Sequence, residues 1–374
     1  MSLIVMLGIA RFAYTSMIPA MEQGAGLTPD VAGWLAAINY AGYMLGAMIA
    51  MLLSDLQLKD RLFRIGLVVA IVSTLGMGLT EQVWLWSLFR FIAGLSSAAG
   101  LLICSGLIMN WLIRHHFKSE LGVHFSGLGL GIVVSALVAQ AMAGHLAWDD
   151  QWLLLGMLAL LLALPAWRWI PRPDSAPDTI HGQRLVDRPP SAAFQWLLMA
   201  AYFCAGWGYV IHATFIVAIV ERLHPGLGQW AFVLVGATAA PGVILWDVIA
   251  ARIGVLNALL AAYLLQAIGI FLPLWSDAFA ALVASALLYG FTFIGIVGLV
   301  LSMAGRFYPT RPARLMGRMT LSYGVAQIAA PAIAGMLAAR SGDFRQGILS
   351  AGVFMLLGMA LIALLKRFPD LKEW

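Results

Sequence analysis

The chain contains 374 residues, of which 62% are apolar and only 10% are charged, and its mean hydropathy is +0.91. Soluble domains are about 45–50% apolar and about 25% charged, so this composition excludes an ordinary soluble fold. A bilayer can hold such a chain, because membrane-spanning helices satisfy their own backbone hydrogen bonds and can be apolar on every side. The formal net charge of +5 is typical of basic cytoplasmic loops and does not indicate a nucleic-acid partner.

Twelve apolar runs follow one another, each long enough to cross a hydrocarbon core about 30 Å thick. The predicted spans are 2–20, 31–53, 62–80, 83–110, 120–143, 150–169, 193–219, 229–250, 254–273, 278–304, 315–339 and 346–365. A polar segment rich in Pro, Asp and Arg separates the sixth span from the seventh, which is typical of a linker. The sequence therefore predicts an all-α membrane protein whose twelve transmembrane helices form two six-helix bundles, at 1–170 and 193–374, joined by a cytoplasmic linker at 171–192.

The basic residues outside the spans are distributed unequally between the two sides. Seventeen Lys and Arg residues fall on the side that holds the termini and the linker, against three on the other side, namely Arg222, Arg340 and Arg345. Cytoplasmic loops carry such an excess. We therefore expect a multi-pass membrane protein whose termini are both cytoplasmic.

Charged groups inside a membrane are costly and are usually functional. The ionisable residues deep within the predicted spans are all basic, whereas every carboxylate lies in a loop or at a helix end; the deep residues are Arg11, Arg90, His124 and His212. A guanidinium binds carboxylate or phosphate in a bidentate fork, so the two arginines indicate a cavity that accepts an anion. The alternative is that each arginine caps backbone carbonyls or anchors a helix contact.

Other polar and aromatic residues lie at compatible depths and share helix faces with these groups at i, i+3 or i, i+4 spacing. The candidates for substrate binding or coupling, in chain order, are Arg11, Tyr14, Asn39, Tyr43, Arg90, Gln140, Tyr209, His212, Tyr323 and Gln327. Such residues line pores, but they also make interhelical hydrogen bonds and interface contacts. His212 could titrate near neutral pH and couple transport to protons, with a structural histidine as the alternative.

An acidic and a basic residue recur after the second span and after the eighth, the corresponding position of the second half. Asp55 precedes Arg61, and Asp247 precedes Arg252. This echo predicts two loops that take part in conformational change. It also favours a chain built from two related halves, as in many transporters.

Signatures of catalysis and of metal binding are absent from the sequence. Cys104 and Cys204 lie in apolar runs without ligand spacing, and the adjacent pair His115-His116 has no third ligand nearby. No zinc-protease, hydrolase or Walker motif occurs. We expect no enzyme activity, no cofactor and no metal, and without an ATP-binding module any concentrative transport must use a gradient.

Residues 8–19, read Gly-Ile-Ala-Arg-Phe-Ala-Tyr-Thr-Ser-Met-Ile-Pro, resemble the first-helix signature G-I-G-R-F-x-Y-T-P-x-x-P of the YbfB/YjiJ group of the major facilitator superfamily. Ala10 and Ser16 depart from that signature. Residues 90–94 are similar to the R-x-x-x-G of the superfamily's fourth helix, whose arginine is associated with substrate binding or proton coupling. The loop motif after span two is matched by Asp55 and its basic neighbours, with Met51 in place of the leading glycine. The resemblance implies the major facilitator fold, alternating access by two rocking bundles and a location in the bacterial inner membrane.

Together these features predict a secondary active transporter of a small organic solute, with an anion favoured by the deep arginines. We expect a monomer whose partners are the solute, membrane lipid and, in a coupled mechanism, protons. One alternative is a proton-coupled efflux pump for drugs or metabolites, although the fifth helix lacks the G-P-x-x-G-G of drug/proton antiporters. Another is a membrane scaffold or sensor that transports nothing.

Overall fold

A computed structural model describes residues 1–53, 55–114, 121–170, 172–173, 188–307 and 313–368. Within these ranges the chain forms twelve long helices. The first six are α1 (Ile4–Ala25), α2 (Pro29–Leu52), α3 (Leu56–Met77), α4 (Val83–Ala98, continuing through a π-helical turn at Ala99–Ile103 into Cys104–Arg114), α5 (Gly122–Met142) and α6 (Trp148–Trp169). The second six are α7 (Ala192–Leu223), α8 (Gly228–Ile253), α9 (Val255–Trp275), α10 (Phe279–Phe307), α11 (Ala313–Ser341) and α12 (Arg345–Leu365).

The helix ends follow from the local sequence. Gly26 ends α1 in the left-handed conformation with φ 66°, which suits glycine because it has no Cβ. Pro29 then opens α2 at a position where its missing N–H costs nothing. The carboxylate of Asp55 accepts hydrogen bonds from the backbone N–H of Gln57 and Leu58 and so caps α3.

Eleven of the twelve helices are long and apolar enough to span a bilayer. The exception is α3, because Lys59, Asp60, Arg61 and Arg64 all lie in its first turns. Its 22 residues still measure about 33 Å at 1.5 Å per residue, which matches the other helices. The predicted twelve helices are confirmed.

The helices pack as two similar six-helix bundles. In the first bundle α2 packs on α4, α3 on α4 and α6, and α1 on α5. The second bundle repeats this pattern, since α8 packs on α10, α9 on α10 and α12, and α7 on α11. Local contacts repeat as well: Gly42 lies against the backbone carbonyl of Phe91, and Gly242 lies against that of Phe291. The predicted two-bundle fold is confirmed.

Two helix pairs join the bundles, and the pseudo-symmetry that relates the two bundles also relates these pairs. α2 packs along α11 and α5 packs along α8. Glycines allow close backbone approach in both pairs, because a Cβ on Gly33 would come 3.2 Å from Cα of Gly335 and one on Gly129 would come 2.8 Å from the carbonyl oxygen of Gly236. Smooth backbone surfaces of this kind can slide or rock without unlocking interdigitated side chains.

The structure corrects the predicted loop positions. Arg61, Asp247 and Arg252 lie within helices α3 and α8. α3 begins six residues before the predicted start at 62 because Asp55 caps it, and α8 continues to Gly254, whose φ of 84° ends it. A role for these residues in conformational change stays a prediction. Most of the predicted linker, and the pair His115-His116, lie outside the described residues.

Arg64 ties α3 to the end of α6. Its Nε lies 3.0 Å from the carboxylate of Asp60, and its Nη1 donates to the carbonyl of Trp167 at 2.7 Å. Both side chains of the ion pair are about one-tenth exposed, and the Arg64 guanidinium also lies over the Trp167 ring. The arginine therefore satisfies a carbonyl at the end of α6, one of those that a helix terminus leaves without an intrahelical donor.

We expect Arg64→Ala to lower the stability of the detergent-solubilised protein by about 1.5–3 kcal/mol, because it removes charge-assisted hydrogen bonds and leaves Asp60 unpaired. Thermal unfolding monitored by intrinsic fluorescence measures this. Arg61→Ala is the matched control, since that side chain is exposed on the same turn of α3. Equal losses of stability in the two variants would show that the hydrogen bonds from Arg64 to α6 do not stabilise the protein.

Candidate functional site

The first half of α1 is wound as a π-helix over Ile4–Phe12, and every residue of this segment is buried. The segment packs closely on α5, because Gly8 lies directly against the backbone of Gly131. π-Helical turns widen the backbone and occur frequently at functional sites. The segment carries Arg11 in its last turn.

The guanidinium of Arg11 lies among aromatic rings at the centre of the protein. It is 4.5 Å from the ring centroid of Tyr40, 4.6 Å from that of Tyr43 and 5.5 Å from that of Phe12. Ring faces attract a cation without neutralising it. The residue is 5% exposed, and its Nε has no hydrogen-bond partner among the described residues. Arg11 is therefore a buried cation with one N–H donor that has no partner among the described residues.

The charge of Arg11 has no counter-ion in the part of the chain that the structure describes. Ion pairs do form elsewhere, between Arg64 and Asp60 and between Arg222 and Glu22. Burying an unpaired charge is expensive, so such a group is retained where it meets an ion or substrate.

Arg90 lies in different surroundings, because its guanidinium donates hydrogen bonds to α1. Nη1 donates to the carbonyl of Ala10 at 3.1 Å and Nη2 to that of Arg11 at 3.4 Å. Its planar face lies 4.3 Å from the ring centroid of Tyr14. Seven residues along α4, the hydroxyl of Ser97 donates to the carbonyl of Met6. Side chains on one face of α4 thus donate hydrogen bonds to the carbonyls of the π-helical segment. Capping of backbone carbonyls is the alternative that the sequence left open for Arg90.

Tyr14 and Asn39 complete this framework. The Tyr14 hydroxyl donates to the carbonyl of Ala32 on α2, and the Asn39 Nδ2 donates to the carbonyl of Arg90 at 2.7 Å. Both residues are buried, and the Asn39 Oδ1 has no partner among the described residues. These two residues link α1, α2 and α4, and so position the arginines.

The second bundle faces Arg11 with a cluster of aromatic rings. Tyr209 on α7 stacks on Phe293 at 5.3 Å and lies 5.8 Å from Tyr323, and Phe293 in turn stacks on Tyr289. Tyr209 is close enough to Arg11 and Tyr40 to interact electrostatically with both. The two halves of the site therefore come from different bundles and meet at Arg11 and Tyr209.

The remaining predicted residues lie in different surroundings. Gln327 is buried one turn from Tyr323, and its Oε1 has no partner among the described residues. Gln140 is half-buried on α5 and takes no part in the contacts of Arg11 or Arg90 given above. His212 is buried within the second bundle, with its Nε2 3.4 Å from the Ser285 hydroxyl and its ring beside Tyr289.

Sequence reasoning missed three rings of the site, namely Tyr40, Tyr289 and Phe293. Tyr40 stands three residues before Tyr43, and Phe293 stands four after Tyr289, so each pair shares a helix face. That spacing was the available signal. It could not show that faces from α2, α7 and α10 meet, because helix packing in the bundle decides that.

Residues 3–363 match the family model described as "uncharacterised MFS-type transporter YbfB". The chain belongs to this family. Membership confirms the resemblance seen in the first helix and in the fourth, and the protein is accordingly a multi-pass MFS-type transporter.

Several curated transporters are similar in sequence. The niacin transporter NiaP of Acinetobacter baylyi (strain ATCC 33305 / BD413 / ADP1) is 27% identical over 179 residues, 48% of this chain and 39% of the relative. The benzoate transport protein of the same organism is 21% identical over 42% of this chain and 35% of its own length. The MFS-type transporter YceJ of Bacillus subtilis (strain 168) is 22% identical over 71% of this chain and 69% of its own length. The chain thus matches well under half of the niacin and benzoate transporters.

Solved transporters share the fold over nearly the whole chain. A point mutant of the nucleoside transporter NupG superposes with a TM-score of 0.68 at 12% identity, covering 97% of each chain. A bacterial homologue of the human lysosomal transporter Spinster, in an inward-facing and occupied conformation, superposes with a TM-score of 0.69 at 16% identity, covering 98% of this chain and 95% of that one.

We expect Arg90→Lys to destabilise the protein without ligand by about 1.5–3 kcal/mol, because a point ammonium cannot bridge two carbonyls and stack on Tyr14. Thermal unfolding in detergent measures this, with Arg168→Lys on the exposed end of α6 as the control. Replacing a residue that only bound substrate would not lower the stability of the unliganded protein. Unchanged stability of the unliganded variant, with weakened ligand binding, would contradict the positioning role.

Proposed function

We propose that this protein is a secondary active transporter that moves a small organic anion bearing an aromatic ring across the bacterial inner membrane by alternating access. Arg11 binds the anionic group, and the rings around it bind the aromatic part. The observation that carries the proposal is the buried guanidinium of Arg11, without a counter-ion among the described residues and placed between two clusters of rings.

The arrangement suits a carboxylate better than a neutral polar group. A guanidinium offers parallel N–H donors that match two carboxylate oxygens, and these charge-assisted bonds are strong in a site shielded from water. The guanidinium lies beside the rings of Tyr40 and Tyr43, and its Nε–H has no partner among the described residues, which supports a donor for the ligand at that atom. Arg90 donates to backbone carbonyls and is a positioning residue in this scheme.

The aromatic rings of the second bundle suit the remainder of such a ligand. Tyr209, Phe293 and Tyr289 stack in nearly parallel planes, and a planar ligand ring can extend that stack. Two relatives are named for niacin and for benzoate, and each of these is a carboxylate on an aromatic ring. That shared chemistry supports an aromatic monocarboxylate as the substrate class.

A single chain provides both halves of the site, which supports a monomer as the transporting unit. The bundles touch through the smooth glycine contacts of α2 with α11 and of α5 with α8, which suits rocking about the site. The excess of basic residues beside the termini supports an orientation with both termini in the cytoplasm.

A second candidate is proton-coupled efflux of amphipathic drugs, which the large aromatic cluster favours. An efflux site for cations would gain nothing from Arg11, since the buried positive charge repels a cation. A neutral drug would gain nothing either, because it has no negative charge to pair with the guanidinium. Binding preference between matched acids and amides therefore separates the two functions.

We expect the purified protein in lipid nanodiscs to bind nicotinate or benzoate more tightly than nicotinamide or benzamide. Arg11→Gln should weaken binding of the acid about tenfold to a hundredfold, because charge-assisted hydrogen bonds are lost, and should leave the amide nearly unaffected. Isothermal titration calorimetry measures both affinities.

Arg168→Gln is the matched control, as it removes an arginine from the exposed end of α6. Arg11→Lys tests geometry against charge, and we expect partial binding. An acid that binds the wild type and Arg11→Gln equally would refute the proposed site, and equal affinity for acids and amides would refute the substrate class.

A further inference from the structure

Three polar contacts join the second half of α1 to the second bundle. The Thr15 hydroxyl donates to the carbonyl of Ala213 at 2.7 Å, and the Gln229 Nε2 donates to the carbonyl of Ser16 at 2.7 Å. Two turns further along, the Arg222 guanidinium lies 3.4 Å from the Glu22 carboxylate. These contacts lie between Arg11 and the face opposite the termini, so together they close the protein on that face.

The ion pair differs from the other two contacts because it can be switched by a proton. Its side chains are 21% exposed for Glu22 and 39% for Arg222, and both line a cavity of about 230 Å³ that opens on this face. Protons can therefore reach the carboxylate. When Glu22 takes up a proton it becomes a neutral acid, and the electrostatic attraction between Glu22 and Arg222 is lost.

A second carboxylate in the cavity, that of Glu221, serves the local backbone. Its Oε1 accepts the N–H of Gly226 at 2.7 Å and its Oε2 accepts that of Gly228 at 3.0 Å. Both bonds lie within the second bundle, so protonation of Glu221 would not release a contact between bundles. Arg222 is also anchored on its own bundle, because its guanidinium lies 4.9 Å from the Phe344 ring centroid.

The other charged groups near this end of α1 include carboxylates at the start of α6 and just before α12. Asp149 and Asp150 begin α6, which contacts α1 where Gly24 meets Trp148. On the second bundle, the carboxylate of Asp343 beside Phe344 accepts the backbone N–H of Arg345. None of these contacts crosses between the bundles.

We propose that Glu22 is the proton-binding group that couples protonation to opening of the face opposite the termini. In the charged state Glu22 and Arg222 hold α1 against α7 and the face is closed. In the protonated state the face opens and exposes the path to Arg11. The coupling to anion transport rests on the proposed function: one proton on Glu22 would compensate the charge of a monocarboxylate on Arg11.

The expected shift in the equilibrium between closed and open states is modest, because a gate must open and close in every transport cycle. Partly exposed ion pairs shift an equilibrium by up to about fivefold, which is small enough to be reversed in each transport cycle. A fully buried pair would cost too much to break repeatedly.

The test measures opening directly and without substrate. Spin labels on cysteines introduced at Glu81 and Ser276, exposed positions on this face in the first and second bundle, report the distance between bundles by pulsed electron resonance in nanodiscs. Unmodified protein with its buried Cys104 and Cys204 is the labelling blank. Between pH 8 and pH 5 we expect the longer-distance population to rise about threefold to fivefold.

Glu22→Gln should show the larger open population at both pH values, whereas Asp150→Asn, a matched carboxylate at the same face, should keep the wild-type pH response. Arg222→Glu should open this face at pH 8, and the exchanged pair Glu22→Arg with Arg222→Glu should close it again, which would show that the single variants are folded. A pH response that persists in Glu22→Gln, or one that disappears in His212→Gln instead, would overturn the proposal.

Uptake of benzoate by proteoliposomes supplies the link to transport. A pH gradient should stimulate uptake by the wild type beyond the passive entry of benzoic acid into protein-free liposomes, and should not do so for Glu22→Gln. If no aromatic acid binds while the labels still respond to pH through Glu22, the proposed substrate is wrong and the gate stands. If acids bind through Arg11 but the distances do not change with pH, the gate is wrong and the proposed substrate stands.

Discussion

The guanidinium of Arg90 holds α1 where its π-helical segment ends, and the candidate site depends on this contact. Its fork donates to the carbonyls of Ala10 and Arg11, and its face lies on the ring of Tyr14. Because the Arg11 backbone is fixed in this way, its side chain can extend towards α2 and rest between Tyr40 and Tyr43. The cation of Arg90 is thus solvated by backbone carbonyls, whereas that of Arg11 lies among ring faces.

The pseudo-symmetry of the fold places this charge at the interface of the bundles. Equivalent helices pack alike in the two halves, and the contacts of α2 with α11 and of α5 with α8 are related by the same symmetry. Yet the halves differ in chemistry, since the first supplies the arginines and the second supplies a stack of rings around Tyr209. A ligand between them would contact both bundles, which is how binding energy can bias their relative orientation.

Polar contacts between the bundles are distributed along α1 in a way that suits such a carrier. Thr15, Ser16 and Glu22 each contact the second bundle, one to three turns beyond Arg11. Hydrogen bonds to backbone carbonyls and a partly exposed ion pair are individually weak, so they can be exchanged during transport. The same helix thus carries Arg11 and, further along, the polar contacts to the second bundle.

The sequence by itself determined the class of the protein, because apolar run lengths and the loop charges depend only on local composition. It also placed Arg11 near the membrane centre, since depth follows from the rise per residue along a helix. It could not show what surrounds Arg11 and Arg90, nor that Arg61, Asp247 and Arg252 lie in helices. The structure decided those points, because the neighbours of a guanidinium, whether carbonyls of a π-helix or the faces of rings, are brought together from distant helices.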